Sequence, residues 1–190
     1  MKKTLLVILA LVALGALYMY FKDYFLFERK TAASVLKAYQ LYTAQEKQAD
    51  VTLYYGDPAS DKFKTAGAKI YETRQMVNQA KQAVLALLQE PPQGCLRVIP
   101  EGAMLRDAYL DQNNILYADF TQEISTNHTG GSTAEYLTVY SILNTIFANF
   151  PWVKGVRILV DGKETETLAG HISLEGIFRP EDISYPKKSE

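Results

Sequence analysis

The apolar residues of this chain fall into blocks, and the first block differs from the rest. Thr4 to Phe21 contain no charge, and Lys2 and Lys3 stand directly before them. A helix needs roughly 17–25 residues to cross a bilayer, so this run is long enough. Flanking lysines keep the N-terminus cytoplasmic and send the remainder outward. Ala13-Leu14-Gly15 offers a small-x-small cleavage site. The apolar run continues past it to Phe21, which favours an uncleaved signal anchor over residues 1–21.

Residues 22–50 read as a juxtamembrane stalk. Val35, Tyr39 and Tyr42 recur at helical spacing with no Pro or Gly between them. The folded part then opens on a β-branched and aromatic strand, Val51 to Tyr55. Gly56 to Lys69 reads as a loop. Met76, Val77, Ala80, Val84, Leu87 and Leu88 predict a helix over about 71–88, stopped by Pro91-Pro92. Leu96 to Ile99 is an expected strand, Pro100-Glu101-Gly102 a turn, and Ala103 to Leu110 the returning strand. A second unit follows: strand Ile115 to Phe120, a long helix from Thr133 to Phe150, and strand Val156 to Val160. Asp161-Gly162 is a hairpin turn signal, with Lys163 to Leu168 as the return.

The two units share one order, and this reads as a βαββ pseudo-repeat. The fold class is α/β (α+β): two helices packed on a mixed β-sheet in a domain spanning 51–178, with a C-terminal tail over 179–190.

Charge and composition narrow the function. The chain has 20 basic and 21 acidic residues among 190, so no Lys/Arg-dense face for nucleic acid is expected. Without Lys2 and Lys3 the remaining chain carries 18 basic against 21 acidic residues, a net −3. The lone cysteine, Cys95, excludes an intrachain disulfide and any multi-cysteine zinc site. Cys95 with His128 or His171 is the nucleophile–base arrangement to consider, but an apolar strand gives the thiol no cue for a lowered pKa. Asp119 and Glu123 are the candidate acid/base pair. Neither set has a convincing pattern, so no enzyme, metal or cofactor is expected.

Gly130-Gly131-Ser132-Thr133-Ala134-Glu135 marks the start of the long helix. Ser132 is expected to cap it and Glu135 to reach back, completing a capping box. No lysine follows the glycines, and Glu135 repels anions, which argues against a phosphate cradle. The helix behind has an unusual face. Thr138, Ser141, Asn144, Thr145 and Ala148 carry no charge, whereas an exposed face normally carries Lys and Glu. Small and amide side chains let another backbone approach closely, either from the same domain or from a partner. These residues are the candidate interaction face.

Taken together, Gly130, Gly131, Ser132, Glu135, Leu137-Thr138-Val139-Tyr140-Ser141-Ile142, Asn144-Thr145, Phe150-Pro151, Leu159-Val160-Asp161-Gly162-Lys163 and Thr167-Leu168-x-Gly170-His171 resemble the GerMN domain family. Thr52 to Tyr55, Glu72-Thr73-Arg74, Ile99 to Gly102 and Tyr117 to Phe120 agree, so the resemblance covers about residues 50–178. It implies a non-enzymatic module on the outer side of the bacterial cytoplasmic membrane, linked in spore formers to sporulation and germination. It also implies a fold similar to ring-building modules, with envelope proteins or further copies as partners. The family's namesake carries two copies and a lipid anchor, whereas this chain shows one copy and a helical anchor. Peptidoglycan or small-ligand binding through tyrosine-rich loops is the alternative. Within the resemblance, Tyr140, Asp161, Gly162, Gly170 and His171 are the remaining motif residues, with His171 expected to bond backbone.

Overall fold

The computed structural model describes residues 47–183. The expected membrane anchor and stalk lie outside the described residues, except where the stalk's end begins the first strand, and so does most of the tail. Among the described residues no helix is long and apolar enough to cross a membrane.

Strand β1 (Gln48–Asp57) pairs antiparallel with β2 (Ser60–Tyr71). The turn is set by Asp57, whose carboxylate accepts from the Ala59 N–H at 3.0 Å and the Ser60 hydroxyl at 2.8 Å. Those bonds hold the Asp57 carboxyl below the usual range, aided by Lys64 and Lys62. The segment expected to be a loop is therefore mostly strand. Its charged and small residues leave seven of its twelve positions exposed, with only Ile70 buried, so it lacks the strong apolar alternation of a half-buried strand.

Helix α1 (Met76–Leu87) starts later than its periodicity predicts, because Tyr71 belongs to β2. The Gln82 side chain closes that strand end, accepting from the Tyr71 N–H at 2.8 Å and donating to its carbonyl at 3.0 Å. Ala80, Ala83, Val84 and Leu87 form its buried side. The strand expected at Leu96–Ile99 shrinks to a two-way bridge between Leu96 and Gly56. Prolines on both sides, at 91, 92 and 100, limit how far that pairing can extend.

Strands β3 (Leu105–Leu110), β4 (Ile115–Phe120) and β5 (Gly155–Val160) form a three-stranded sheet in the order β3-β4-β5. β3 runs antiparallel to β4, and β4 runs parallel to β5. Parallel neighbours need a crossover; here it holds the short α2 (Glu123–Thr126) and the long α3 (Ser132–Asn149). The mixed α/β class holds, with the strands divided between two sheets. The pseudo-repeat does not hold at the level of pairing. The first half adds β2 before its helix, and its last strand pairs with β4 instead of with Leu96–Ile99. The return after Asp161-Gly162 is likewise one bridge, Val160 to Lys163. The chain instead wanders back so that Phe178 bridges the edge of β5 at Val156.

Phe120, Ile124, Leu116, Ile142, Leu143, Ile146, Ile158 and Leu174 are the largest apolar side chains with almost no exposure, and one core joins them to Val51, Leu53 and Tyr55 of β1 and to Ala80, Val84 and Leu87 of α1. Gly155 opens β5 where a methyl group would strike Ile177 and the Ile115 side chain. Gly155→Ala should lower unfolding free energy by about 1–3 kcal/mol, read by urea denaturation. An unchanged midpoint would show that Ile177 moves freely.

Candidate functional site

The uncharged face of α3 is the feature that most invites a functional reading. Thr138, Ser141, Thr145 and Asn149 lie three or four residues apart and therefore share one side of the helix. That side lies along the edge of β1 that β2 leaves free. Thr52 donates its N–H to Asn149 Oδ1 at 2.8 Å, and Asn149 Nδ2 returns a bond to the Thr52 carbonyl at 2.7 Å. Tyr54 donates its N–H to Thr145 Oγ1 at 3.0 Å, and the Ser141 hydroxyl donates to the Tyr54 carbonyl. Beyond them Gly56 bonds Leu96 in both directions, and the Thr138 hydroxyl donates to the Val98 carbonyl.

The polar stripe thus replaces a missing strand. An open sheet edge is a row of unmet donors and acceptors, and short uncharged side chains meet them without a buried charge. This corrects the interaction face. Thr138, Ser141, Asn144 and Thr145 are buried inside the domain and Ala148 is half-buried, so they offer no surface to a partner. Asn144 stands beside the stripe with its Oδ1 unpartnered.

The start of α3 departs further from expectation. Gly131 is the N-cap residue, and no side chain caps the helix, so the Ser132–Glu135 capping box does not form. Glu135 is fully buried, and its carboxylate faces the loop after β5. Leu168, Ala169 and His171 donate backbone N–H groups to it at 3.0, 2.8 and 2.8 Å. The His171 ring adds Nδ1 at 3.2 Å. Burial alone would raise the Glu135 pKa. The amides of Ala169, Ile172 and His171, with the His171 ring, outweigh it and hold the carboxyl below its ordinary value. Gly170, at φ 103°, turns the loop so that its neighbours aim inward, while its own N–H bonds Thr167 Oγ1. Glu135 is therefore a latch between helix and loop, and His171 bonds that carboxylate where a bond to backbone was expected.

The other motif residues also build structure. Asp161 and Gly162 form a tight turn held by Asp119, which accepts the Gly162 N–H at 2.7 Å. Arg106 stands 3.6 Å from Asp119 and 3.4 Å from Asp161. Glu123 is half-buried and bonds Thr121, so Asp119 and Glu123 are engaged with different groups. Tyr140 stacks on Tyr136 at 4.4 Å and meets Phe178 edge-on, and Tyr136 in turn meets Phe63.

An open groove of about 410 Å³ runs between the 96–101 segment and the start of α3, lined by Leu96, Val98, Pro100, His128 and Leu137 among others. His128 accepts the Gly130 N–H on Nδ1, so its proton sits on Nε2 and is donated to Thr138. Burial pushes the His128 pKa down, against a raising effect of Glu135. Both ring nitrogens are committed. Cys95 is half-buried, with its N–H on the Pro92 carbonyl. Among the described residues no set of His, Cys, Asp and Glu comes together to hold a metal ion.

Sequence reasoning missed the edge of β2. Its signal was present as Ala66, Ala68 and Ile70 alternating with Thr65, Gly67 and Lys69, with alanines as weak apolar markers.

The same fold occurs in a candidate lipoprotein from Clostridium perfringens, at 21% identity over 73% of this chain and 93% of that one, TM-score 0.51. It occurs also in the first GerMN domain of the sporulation protein GerM from Bacillus subtilis, at 20% identity over 70% and 99%, TM-score 0.54. Against the tandem GerMN domains of GerM the match covers 72% of this chain and 49% of the tandem, at 20% identity and TM-score 0.51. The chain therefore spans about half the length of the tandem. No curated protein matches the chain. The sequence profile of the Germane family, described as sporulation and spore germination, matches residues 52–166, more than half of the chain. The chain belongs to the Germane family of sporulation and spore germination.

Proposed function

We infer that this protein is an extracytoplasmic assembly module of the bacterial envelope, held to the cytoplasmic membrane by its N-terminal helix and working by binding other envelope proteins or further copies of itself. The observation that carries this reading is the uncharged run Thr4 to Phe21 behind Lys2-Lys3, joined to a Germane domain. The candidate lipoprotein with the same fold supports a membrane-attached setting. A binding role is supported by how the candidate reactive groups are spent: Glu135 and Asp119 fasten loops, and His128 uses both ring nitrogens on its own domain. Protease added to intact spheroplasts should digest the domain beyond Lys22. A domain that stays protected until the membrane is breached overturns the topology.

The aromatic row from Phe63 through Tyr136 and Tyr140 to Phe178 favours a second reading, peptidoglycan or small-ligand binding. Tyr136 is exposed at the middle of that row. Titrating the full chain with soluble cell-wall fragments should then give a saturable tyrosine fluorescence change that Tyr136→Ala removes. A linear, non-saturating response excludes it.

A further inference from the structure

His128 ties three parts of the domain together beside the open groove. Its ring bonds the Gly130-Gly131 pair that leads into α3 and, on the second turn of that helix, Thr138. Thr138 in turn holds the 96–101 segment, the groove's other wall, at the Val98 carbonyl. Nδ1 lies 3.0 Å from the Gly130 nitrogen, and a backbone N–H only donates, so Nδ1 carries no proton. Nε2 lies 3.0 Å from Thr138 Oγ1. The one hydrogen of that hydroxyl is directed to the carbonyls of Val98 and, at 3.1 Å, Ala134, so Nε2 is the donor. The bonds therefore require the neutral imidazole with its proton on Nε2.

A second proton has one place to go, Nδ1, and there it sets donor against donor at the Gly130 N–H. One side must yield. Thr138 is fully buried in α3, and its bond to the Nε2–H survives protonation. Gly130 and Gly131 have φ of 77° and 89°, and a methyl group on either would meet nothing within 4 Å. The glycine pair has both the space and the backbone freedom to move.

We propose that His128 is an acid-released pin: neutral, it holds the Gly130-Gly131 hinge beside the groove, and protonated, it frees the hinge while α3 stays in place. The surroundings decide when this happens. Burial of the ring favours the neutral form and pushes its pKa down, while Glu135 on α3 acts the other way. Glu135 is itself held by the loop amides after β5. On the facing segment Arg97 is paired with Glu90, and Glu101 lines the same groove. On α2 Glu123 bonds Thr121. With the folded value depressed, the pin is fully set above the ordinary imidazole value. It is lost as pH falls from that value through the lower, folded one.

The test reads backbone amide exchange in the full chain, each rate divided by that of an unstructured peptide at the same pH. From about pH 7 to about pH 5 the protection of Gly130 should fall about tenfold, following the protonated fraction of one imidazole. Ile142 and Leu143, inside α3, should keep theirs. The chain has two histidines, so two variants divide the effect. His128→Asn keeps an acceptor two residues before the Gly130 N–H and does not titrate, so its Gly130 protection should stay constant over that range. His171→Gln should behave as the parent. Nitrogen NMR of the unsubstituted chain should show Nδ1 of His128 gaining the proton at the midpoint where Gly130 loses protection, a reading that needs no variant to fold. Constant Gly130 protection in the parent, a pH response that survives in His128→Asn, or one abolished by His171→Gln overturns the pin. So does a loss of protection at Ile142 and Leu143 together with Gly130.

Discussion

Replacing Glu135 by alanine is expected to lower unfolding free energy by about 3 kcal/mol at neutral pH. The substitution removes the one acceptor shared by the amides of Leu168, Ala169 and His171. Those amides lie where the loop covers the start of α3, and Leu168 and Leu174 are buried beside them. Bonds to an ionised acceptor are roughly twice as strong as neutral ones, and the loss leaves the buried Leu168 N–H unmet. The sign with pH follows from the direction of the shift. The Glu135 pKa is depressed in the folded state, so its contribution is fully present above the unfolded carboxylate value. It fades as pH falls from that value through the folded one. Urea unfolding of the two proteins should thus differ most at neutral pH and converge on acidification. Glu135→Gln should recover only part of the loss, because a neutral amide oxygen is the weaker acceptor and its NH₂ faces other donors. A gap that stays constant with pH would mean that packing, not charge, holds the loop.

The latch also shows where sequence reading stops. The spacing Ser132-x-x-Glu135 fits a local capping box, and the wrong part is the partner. A carboxylate one turn into a helix is drawn to whichever unmet amides lie nearest, and here a loop more than thirty residues downstream supplies them. Nothing between 135 and 168 announces that meeting. By contrast Ile115–Phe120 and the helix from 132 to 149 were legible almost to the residue, because their own side chains carry the apolar pattern. β2 was illegible for the opposite reason. Its register is set by backbone bonds to β1, and its weak alternation is written in alanines that barely register as apolar. The 71–88 helix was mis-started because no Pro or Gly separates Tyr71 from Met76, while the Tyr71 backbone is held by Gln82 as a strand end. The anomaly on α3 was fully visible as an uncharged face. Its meaning depended on a strand edge that only the fold brings to it.

That face yields the second large effect. The double substitution Thr145→Val with Asn149→Ala should lower unfolding free energy by about 2–4 kcal/mol. Valine keeps the volume of threonine and removes the oxygen that accepts the Tyr54 N–H. Alanine removes both the acceptor of the Thr52 N–H and the donor to its carbonyl. Thr52 is only half-buried, so water recovers part of its loss, whereas Thr145 is buried with no exposure. The Thr145 substitution should therefore cost more than its single bond suggests. Amide hydrogen exchange gives the site-specific reading: Thr52 and Tyr54 should exchange faster in the variant, while Val51 and Leu53, which face β2, should keep their protection. If the stripe were instead a partner-binding surface, these changes would leave stability and exchange untouched and alter only association. Protection that falls along β1 alone, on the edge facing α3, identifies the helix as the strand's missing neighbour.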